Sequence, residues 1–196
     1  MKSIFENNIE GAKIFLSFLD ENSHILDFGC GFGRNTNYLL KKGLQVSISD
    51  ISERSMEICE ENVLRYGYSI HKIQYGERLG CKDQLFDGVV LWSVLDHMTL
   101  ANAKDTIDEI DRVCKNGSVL LCSFDGEEYI NKDMYKENED RSITFVKGKD
   151  KGMTLRFFKN DEIFDLFRDN WEILYFRDIT SQCEKVIVCR KRILNK

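Results

Sequence analysis

The sequence predicts an α/β protein whose sheet is mostly parallel. Strand-like apolar segments alternate with helical segments of about a dozen residues, a pattern typical of parallel strands joined by right-handed crossovers. The predominantly apolar run from Phe86 to Trp92 is typical of a strand buried on both faces of such a sheet. The 196 residues are 42 % hydrophobic and 31 % charged, so we expect one globular domain over residues 1–196.

Strands of this sheet are predicted where short apolar runs are bounded by polar or glycine residues. The first five predicted strands are His24–Phe28, Gln45–Ser49, Ile70–Tyr75, Phe86–Trp92 and Ser118–Phe124. Two further strand-like segments, Trp171–Ile179 and Lys185–Lys191, follow a predicted helix over Asp161–Asp169 and are joined by a short polar turn. We therefore expect the chain to end in a hairpin.

Helices fill the intervals between these strands. An amphipathic helix over Ile9–Leu19 precedes the first strand, and a second helix follows the first strand and stops at Gly43. Ser52 can cap a third helix, which ends at Gly67, and Gly117 closes a fourth. The apolar face of the fourth helix is formed by Ala103, Ile107, Ile110 and Cys114.

Residues 125–152 interrupt this alternation with a charged segment that includes Tyr129 and Tyr135. A hairpin turning near Gly148 to Gly152 can end the segment. An excursion of this length after the fifth strand would lie over the ligand face of the sheet, where long loops often act as lids or line an acceptor site. An ordinary solvated loop is the alternative.

Composition excludes several classes of partner. The formal net charge of −5 repels polyanions and no basic cluster with interleaved aromatic residues offsets it, so we expect no nucleic-acid partner. No apolar run is long enough to cross a bilayer and no basic-then-apolar leader opens the chain, so we expect no membrane partner and a cytoplasmic location. The seven cysteines include no Cys-x-x-Cys pair, so we expect no metal site. A monomer and a homodimer both remain open.

The strongest functional signal is the segment from Asp27 to Gly33, in which glycines alternate at a strand-to-helix turn. Bare backbone at Gly29 and Gly31 lets a ligand approach closely, and the free amides of the next helix favour a negative group. The carboxylate of Asp27 can attract an ammonium group. A nicotinamide-binding turn would have glycine at position 34, which is Arg34, so this turn disfavours a dehydrogenase. Tight strand–helix packing alone is the alternative explanation.

A second signal is Asp50, which ends the second strand about twenty residues beyond the glycine turn. A carboxylate at this place can accept both hydroxyls of a ribose, and the neighbouring Ile51 can pack on adenine. The alternative is that Asp50 merely precedes the helix capped by Ser52. Its spacing from Gly31 favours the ligand-binding interpretation.

Together these residues resemble the motifs of class I S-adenosylmethionine-dependent methyltransferases, especially small members that act on diffusible acceptors. The stretch Asp27–Gly33 resembles their first motif and Asp50 their ribose carboxylate. Gly76 and Glu77 resemble the pair after the third strand, where the acidic residue reads the adenine amino group. The segment from Phe86 through Met98 resembles their fourth motif.

This resemblance implies a Rossmann-like three-layer sandwich with a mostly parallel seven-stranded sheet and an antiparallel terminal hairpin. It also implies S-adenosyl-L-methionine as cofactor, S-adenosyl-L-homocysteine as product, and a small-molecule methyl acceptor whose O, N or S nucleophile is unresolved. The Asn/Asp-Pro-Pro-Tyr signature of methyltransferases that act on bases is absent after the fourth strand. The residues expected to bind the cofactor are Asp27, Gly29, Cys30, Gly31, Asp50, Ile51, Gly76, Glu77 and Leu91.

His97 is the candidate for a general base, since it follows the fourth strand and an imidazole titrates near neutral pH. A packing or capping histidine is the alternative, because in-line methyl transfer can proceed by positioning and desolvation alone. Trp92, Tyr129 and Tyr135 are candidates for the wall of an acceptor pocket, and Trp92 can equally belong to the core. A non-catalytic cofactor-binding module or partner subunit is the rival function.

Overall fold

The computed structural model describes residues 3–7, 10–74, 78–126, 130–179 and 184–193. Within these ranges the helices are α1 (Glu10–Ser17), α2 (Arg34–Lys41), α3 (Glu53–Leu64), α4 (Leu100–Val113) and α5 (Asn160–Phe167). The strands of the main sheet are β1 (His24–Phe28), β2 (Gln45–Ser49), β3 (His71–Lys72), β4 (Phe86–Leu91), β5 (Cys114–Asp125), β9 (Trp171–Ile179) and β10 (Glu184–Lys191). A smaller sheet contains β6 (Tyr135–Glu137), β7 (Ile143–Phe145) and β8 (Thr154–Leu155).

The main sheet has the order β3-β2-β1-β4-β5-β10-β9 among the described residues. Strand β1 pairs in parallel with β2 and β4, and β4 pairs in parallel with β5. Strand β10 pairs antiparallel with both β5 and β9, so the last two strands form a hairpin. This order confirms the predicted seven-stranded, mostly parallel sheet with an antiparallel terminal hairpin.

Helices cover both faces of this sheet and complete a three-layer sandwich. On one face, Phe15 of α1, Leu39 of α2 and Cys59 of α3 belong to one core cluster with the β4 residue Val90. On the other face, α4 and α5 pack in a second cluster that includes Val89. Neighbouring residues of β4 therefore point into different cores, which explains why this strand is apolar along both faces. Burial of these faces is the main stabilising contribution to the sandwich.

Several predicted boundaries are confirmed. Strands β1 and β2 begin and end where the sequence predicted, and the Ser52 hydroxyl caps α3 by accepting a hydrogen bond of 3.1 Å from the Ser55 amide. The helix predicted over Asp161–Asp169 is present as Asn160–Phe167. The first helix is Glu10–Ser17, shorter than the predicted Ile9–Leu19, whose first residue lies outside the described residues.

Two strand predictions were too long. The third strand is limited to His71–Lys72 rather than Ile70–Tyr75, because it is an edge strand whose pairing with β2 covers two residues. Tyr75 lies outside the described residues. Strand β4 ends at Leu91 rather than Trp92, because the chain turns at Ser93, whose φ is +52°. The Trp92 side chain is buried in the core cluster on the α1–α3 face.

The predicted end of the fourth helix was wrong. Helix α4 ends at Val113, and Cys114, expected on its apolar face, is the first residue of β5 and pairs with Phe86. Gly117 does not close the helix. It has a φ of +79° within β5, at the place where the β4–β5 register shifts. A glycine at such an irregularity relieves the steric cost of a left-handed backbone.

The part of residues 125–152 that the structure describes forms most of the small sheet. The Gly152 amide donates to the Phe145 carbonyl at 2.7 Å, which closes the hairpin expected near Gly148 to Gly152. The turn between β6 and β7 is bonded to the start of α4, because the Leu100 amide donates to Asp140 Oδ2 at 2.8 Å. Within the described ranges, no helix has the length and apolarity needed to span a bilayer.

Candidate active site

A cavity of about 650 Å³ opens at the carboxyl ends of β1, β2 and β4. This is the edge at which open α/β sheets bind ligands, and the volume lies within the range of about 300–1,000 Å³ of small-molecule sites. The cavity is lined by Phe28, Gly29, Gly31, Ser49, Asp50, Ile51, Ser93, Val94, His97, Met98, Asn102, Asp105 and Thr106. Five of the residues predicted from sequence, Gly29, Gly31, Asp50, Ile51 and His97, are therefore brought together.

The glycine turn after β1 has a left-handed backbone at three alternate positions. The φ angles of Gly29, Gly31 and Gly33 are +75°, +51° and +82°. A Cβ atom at Gly29 would lie 2.4 Å from Val94 Cγ2, and one at Gly33 would lie 2.5 Å from Cys59 Sγ. These two glycines are therefore required for packing, whereas a Cβ at Gly31 would meet no heavy atom within 4 Å.

Asp50 joins the ends of β1 and β2 at the cavity. Its Oδ2 atom accepts a hydrogen bond of 2.9 Å from the Gly31 amide, and its Oδ1 atom accepts one of 2.9 Å from the Ser52 amide. The Asp50 side chain is half-buried and remains part of the cavity wall. Each carboxylate oxygen can accept more than one hydrogen bond, so both retain capacity for ligand hydroxyls.

Asp27 lies behind the glycine turn and outside the cavity lining. It is 2 % exposed, and its Oδ2 atom accepts a hydrogen bond of 2.5 Å from the Thr36 hydroxyl. Burial raises the pKa of Asp27 to about 6, although the hydrogen bonds from Thr36 and the charge of Arg34 act in the opposite direction. The carboxylate can therefore act on a ligand only through its field across the turn.

The wall beyond β4 is held in an unusual conformation. Ser93 has a φ of +52°, and its amide donates a hydrogen bond of 2.9 Å to the Ser123 hydroxyl of β5. A non-glycine residue in the left-handed region is uncommon and costs about 1–3 kcal/mol, so such residues cluster at functional sites. The short 3-10 helix Leu95–His97 follows, and His97 is an exposed residue on the cavity wall.

Helix α4 contributes polar residues to the cavity that sequence reasoning missed. Asn102 and Asp105 are exposed and line the wall one turn apart, and Thr106 lies beside them with its hydroxyl 3.4 Å from the Met98 sulfur. In the sequence they look like the solvent face of an amphipathic helix. Only their position on the wall of the same cavity as the glycine turn distinguishes them from ordinary surface residues.

Cys30 and Leu91, which were predicted to bind the cofactor, are absent from the cavity lining. Cys30 is buried, with its Sγ atom 3.6 Å from the Gly31 carbonyl oxygen, and Leu91 is fully buried in the core on the α4–α5 face. Gly76 and Glu77 lie outside the described residues. Tyr129 lies outside them too, and Tyr135 is half-buried on β6 of the small sheet.

Comparison with known proteins identifies the family. Residues 26–122, which include the end of β1, the glycine turn and most of β5, match the family model described as a methyltransferase domain. A S-adenosylmethionine-dependent methyltransferase from Methanosarcina mazei is 24 % identical, with a TM-score of 0.78 over 92 % of this chain and 98 % of that chain. The chain belongs to the class I S-adenosylmethionine-dependent methyltransferases.

Other methyltransferase structures share the fold. A S-adenosylmethionine-dependent methyltransferase from Clostridium acetobutylicum is 14 % identical, with a TM-score of 0.71 over 97 % of this chain and 95 % of that chain. A 1,6-didemethyltoxoflavin-N1-methyltransferase from Burkholderia thailandensis is 17 % identical, with a TM-score of 0.71 over 93 % of this chain and 77 % of that chain. The latter crystallised with 1,6-didemethyltoxoflavin and S-adenosylhomocysteine.

The cavity of this methyltransferase fits S-adenosylmethionine, the cofactor of its family. The bare backbone of Gly31 faces open space where an amino-acid tail can lie, and Asp50 has free acceptor capacity beside it. The Ile51 side chain is 94 % exposed at the cavity, so an apolar surface is available to a flat ring. The Gly31 backbone, the Asp50 carboxylate and the Ile51 side chain thus follow one another in the same order as the amino-acid tail, the ribose and the adenine of the cofactor.

Proposed function

We propose that this methyltransferase modifies a small diffusible acceptor and has no nucleic-acid substrate. The observation that carries the proposal is the convergence of bare Gly31, the Asp50 carboxylate and exposed Ile51 on one cavity of small-molecule size. The net charge of −5 disfavours a polyanionic acceptor. The bound cofactor supplies a methyl group on a positively charged sulfur, which passes in line to a nucleophile and leaves S-adenosylhomocysteine.

We assign the cofactor-binding roles as follows. Asp50 accepts the ribose hydroxyls, Ile51 packs on the adenine ring, and the backbone at Gly29 and Gly31 lies along the amino-acid tail. With a pKa near 6, Asp27 is mostly ionised at neutral pH, so its field favours the ammonium group of that tail. The resemblance assigns the adenine amino group to Glu77, and the polar residues of α4 line the same cavity as Asp50 and Ile51.

On the acceptor side, the chain's contribution is positioning and exclusion of water. His97 is exposed at the cavity and can take the acceptor's proton if the nucleophile loses one. Residues 125–152 form an acceptor-side insertion in our proposal, because their small sheet is bonded to the segment that carries His97. The Arg156 amide donates a hydrogen bond of 2.7 Å to the Asp96 carbonyl, directly before His97. Movement of this sheet would therefore reshape the wall of the cavity.

Calorimetric titration with S-adenosylhomocysteine tests the assignment. We expect saturable binding, and Asp50→Ala should weaken the affinity by about 1.5–3 kcal/mol, or about 10- to 150-fold, through lost charge-assisted hydrogen bonds. Asp169→Ala, an exposed carboxylate after α5, is the matched control and should leave the affinity unchanged. Wild-type affinity in Asp50→Ala would remove this carboxylate from the site, and folded wild-type protein that binds no S-adenosylhomocysteine would refute the proposed function.

A further inference from the structure

Strand β9 is an open edge of the main sheet. Among the described residues it pairs with β10 on one side and with no strand on the other. The unpaired amides and carbonyls of a nine-residue edge strand are a template for a further strand, and proteins usually block such an edge with charged side chains or a covering helix. The side chains of β9 show which strand this edge can accept.

A bulge in β9 sets which face of the sheet each side chain occupies. Tyr175 is opposite Val188 of β10. Ile173 is opposite the next β10 residue, Cys189, so Leu174 is the extra residue of the bulge. Val188 and Cys189 belong to the core clusters of opposite faces, and opposed residues share a face. Ile173 therefore lies on the α4–α5 face, whereas Leu174 and Tyr175 both pack on the α1–α3 face.

Two residues of opposite charge lie on the α1–α3 face of β9. Arg177 is opposite the core residue Val186, and Glu172 is opposite Arg190. Both Glu172 and Arg177 are exposed, and within the described ranges neither side chain has a hydrogen bond or an ion pair. The Arg190 guanidinium lies over the Phe18 ring instead, 5.7 Å from its centroid. The two charges of β9 are therefore available to a partner.

The α4–α5 face of the same edge is apolar. Ile173 is 39 % exposed there. Phe176 is half-buried opposite Ile187, a core residue of this face. The ring of Phe176 meets the ring of Phe164 edge-on, with centroids 4.8 Å apart, and Phe164 on α5 is itself 37 % exposed. An exposed apolar group beside an open strand edge favours a partner that brings apolar side chains to it.

These placements select one register in which β9 can pair with a second copy of itself. Opposed side chains in an antiparallel pair share a face, so a slip by one residue moves them to the wrong faces. Because the bulge interrupts the alternation of β9, a two-fold axis between Leu174 and Tyr175 matches the faces at every opposed position. Glu172 then lies opposite Arg177 of the second copy, and Ile173 lies opposite Phe176 of the second copy.

We propose that β9 pairs antiparallel with β9 of a second copy of this chain, so that the protein is a two-fold symmetric dimer with one continuous sheet. The symmetry forms every contact twice, with two Glu172–Arg177 ion pairs on one face and two Ile173–Phe176 contacts on the other. Opposite charges stabilise a cross-strand pair, whereas like charges destabilise it. Strand β9 is separated from β4 by β5 and β10, so pairing at this edge leaves the cavity at β1, β2 and β4 open.

Charge-reversed variants test the dimer and its register by sedimentation velocity over a dilution series. We expect the wild type to sediment as a dimer that dissociates on dilution. Glu172→Arg opposes arginine to arginine at both ion pairs, and Arg177→Glu opposes glutamate to glutamate, so each variant should weaken self-association at least about tenfold. Mixed in equal amounts, the two variants carry opposite charges at both positions and should form a heterodimer with about the dissociation constant of the wild type.

Glu21→Arg is the matched control, because it makes the same charge change at an exposed residue between α1 and β1 and should leave the dimer unchanged. Circular dichroism verifies that each variant is folded. A wild type that stays monomeric at its highest soluble concentration would overturn the inference. So would a dimer that both reversals leave intact, or one that they weaken and that mixing does not restore. Binding of S-adenosylhomocysteine tests the proposed function separately from this result.

Discussion

Replacement of Gly31 by alanine separates ligand binding from folding at the glycine turn. Its Cβ atom would meet no heavy atom within 4 Å, so the only loss of folding stability comes from an alanine with a φ of +51°. That cost is about 1–2 kcal/mol for a left-handed residue, or a fall in Tm of about 2–8 °C for a domain of this size. The added methyl group points into the space where the cofactor tail is proposed to lie.

We expect Gly31→Ala to weaken binding of S-adenosylhomocysteine by about 1–3 kcal/mol, or about 5- to 150-fold, because the methyl group displaces the ligand from the backbone. Two other glycines provide matched controls. Gly43 and Gly67 have φ angles of +83° and +78°, and a Cβ atom at either would likewise meet nothing within 4 Å. Their alanine variants should lose similar stability, measured by thermal unfolding, and should bind S-adenosylhomocysteine as the wild type does by calorimetry. Wild-type affinity in Gly31→Ala would refute the placement of the cofactor against this turn.

Three further predictions concern stability. Because the pKa of Asp27 rises from 3.8 to about 6 on folding, the native state holds a proton that the unfolded state releases. The free energy of unfolding should therefore fall by about 3 kcal/mol as the pH rises from about 4 to about 6. Urea unfolding of Asp27→Asn should lack this fall, and identical pH profiles for the variant and the wild type would contradict the assignment. Arg156→Met should cost about 1.5–3 kcal/mol, measured by urea unfolding, because it removes the buried guanidinium that donates to Glu162 at 2.8 Å and pairs with Asp140 at 3.6 Å. A loss below about 1 kcal/mol would show that these pairs are replaceable. Gly33→Ala should lower Tm more than Gly31→Ala, because the new Cβ atom at position 33 would lie 2.5 Å from Cys59 Sγ. Adding Cys59→Ala to Gly33→Ala should recover part of the lost Tm. No recovery would place the strain in the backbone alone.

Local patterns predicted the elements whose boundaries are local. Strands β1 and β2 and the Ser52 cap follow from apolar runs, glycines and a capping hydroxyl, all of which act within a few residues. The end of α4 does not, because Cys114 continues the helical periodicity but pairs with Phe86 in the sheet. Pairing with a strand distant along the chain outweighs local periodicity, and no neighbouring residue signals it.

The site shows the same division. Gly31, Asp50 and Ile51 were predicted because a ligand-binding turn imposes fixed residue types at fixed spacing, and all three line the cavity. Asn102 and Asp105 were not, since polar residues on one face of α4 have the same pattern whether that face meets solvent or a cavity. Cys30 and Leu91 were included through the family resemblance, and the structure places both among buried residues away from the lining.

The sequence by itself predicted the fold class, the family and several residues that line the cavity, because these depend on periodicity and on a compact motif after one strand. Tertiary structure alone decided which residues surround the cavity beyond that motif, among them Asn102, Asp105 and Thr106 of α4. Helix α4 reaches this cavity because β4, which precedes it in the chain, lies beside β1 in the sheet. Strand order depends on the packing of the whole domain, so the composition of the cavity wall beyond the glycine turn emerges only in the folded chain.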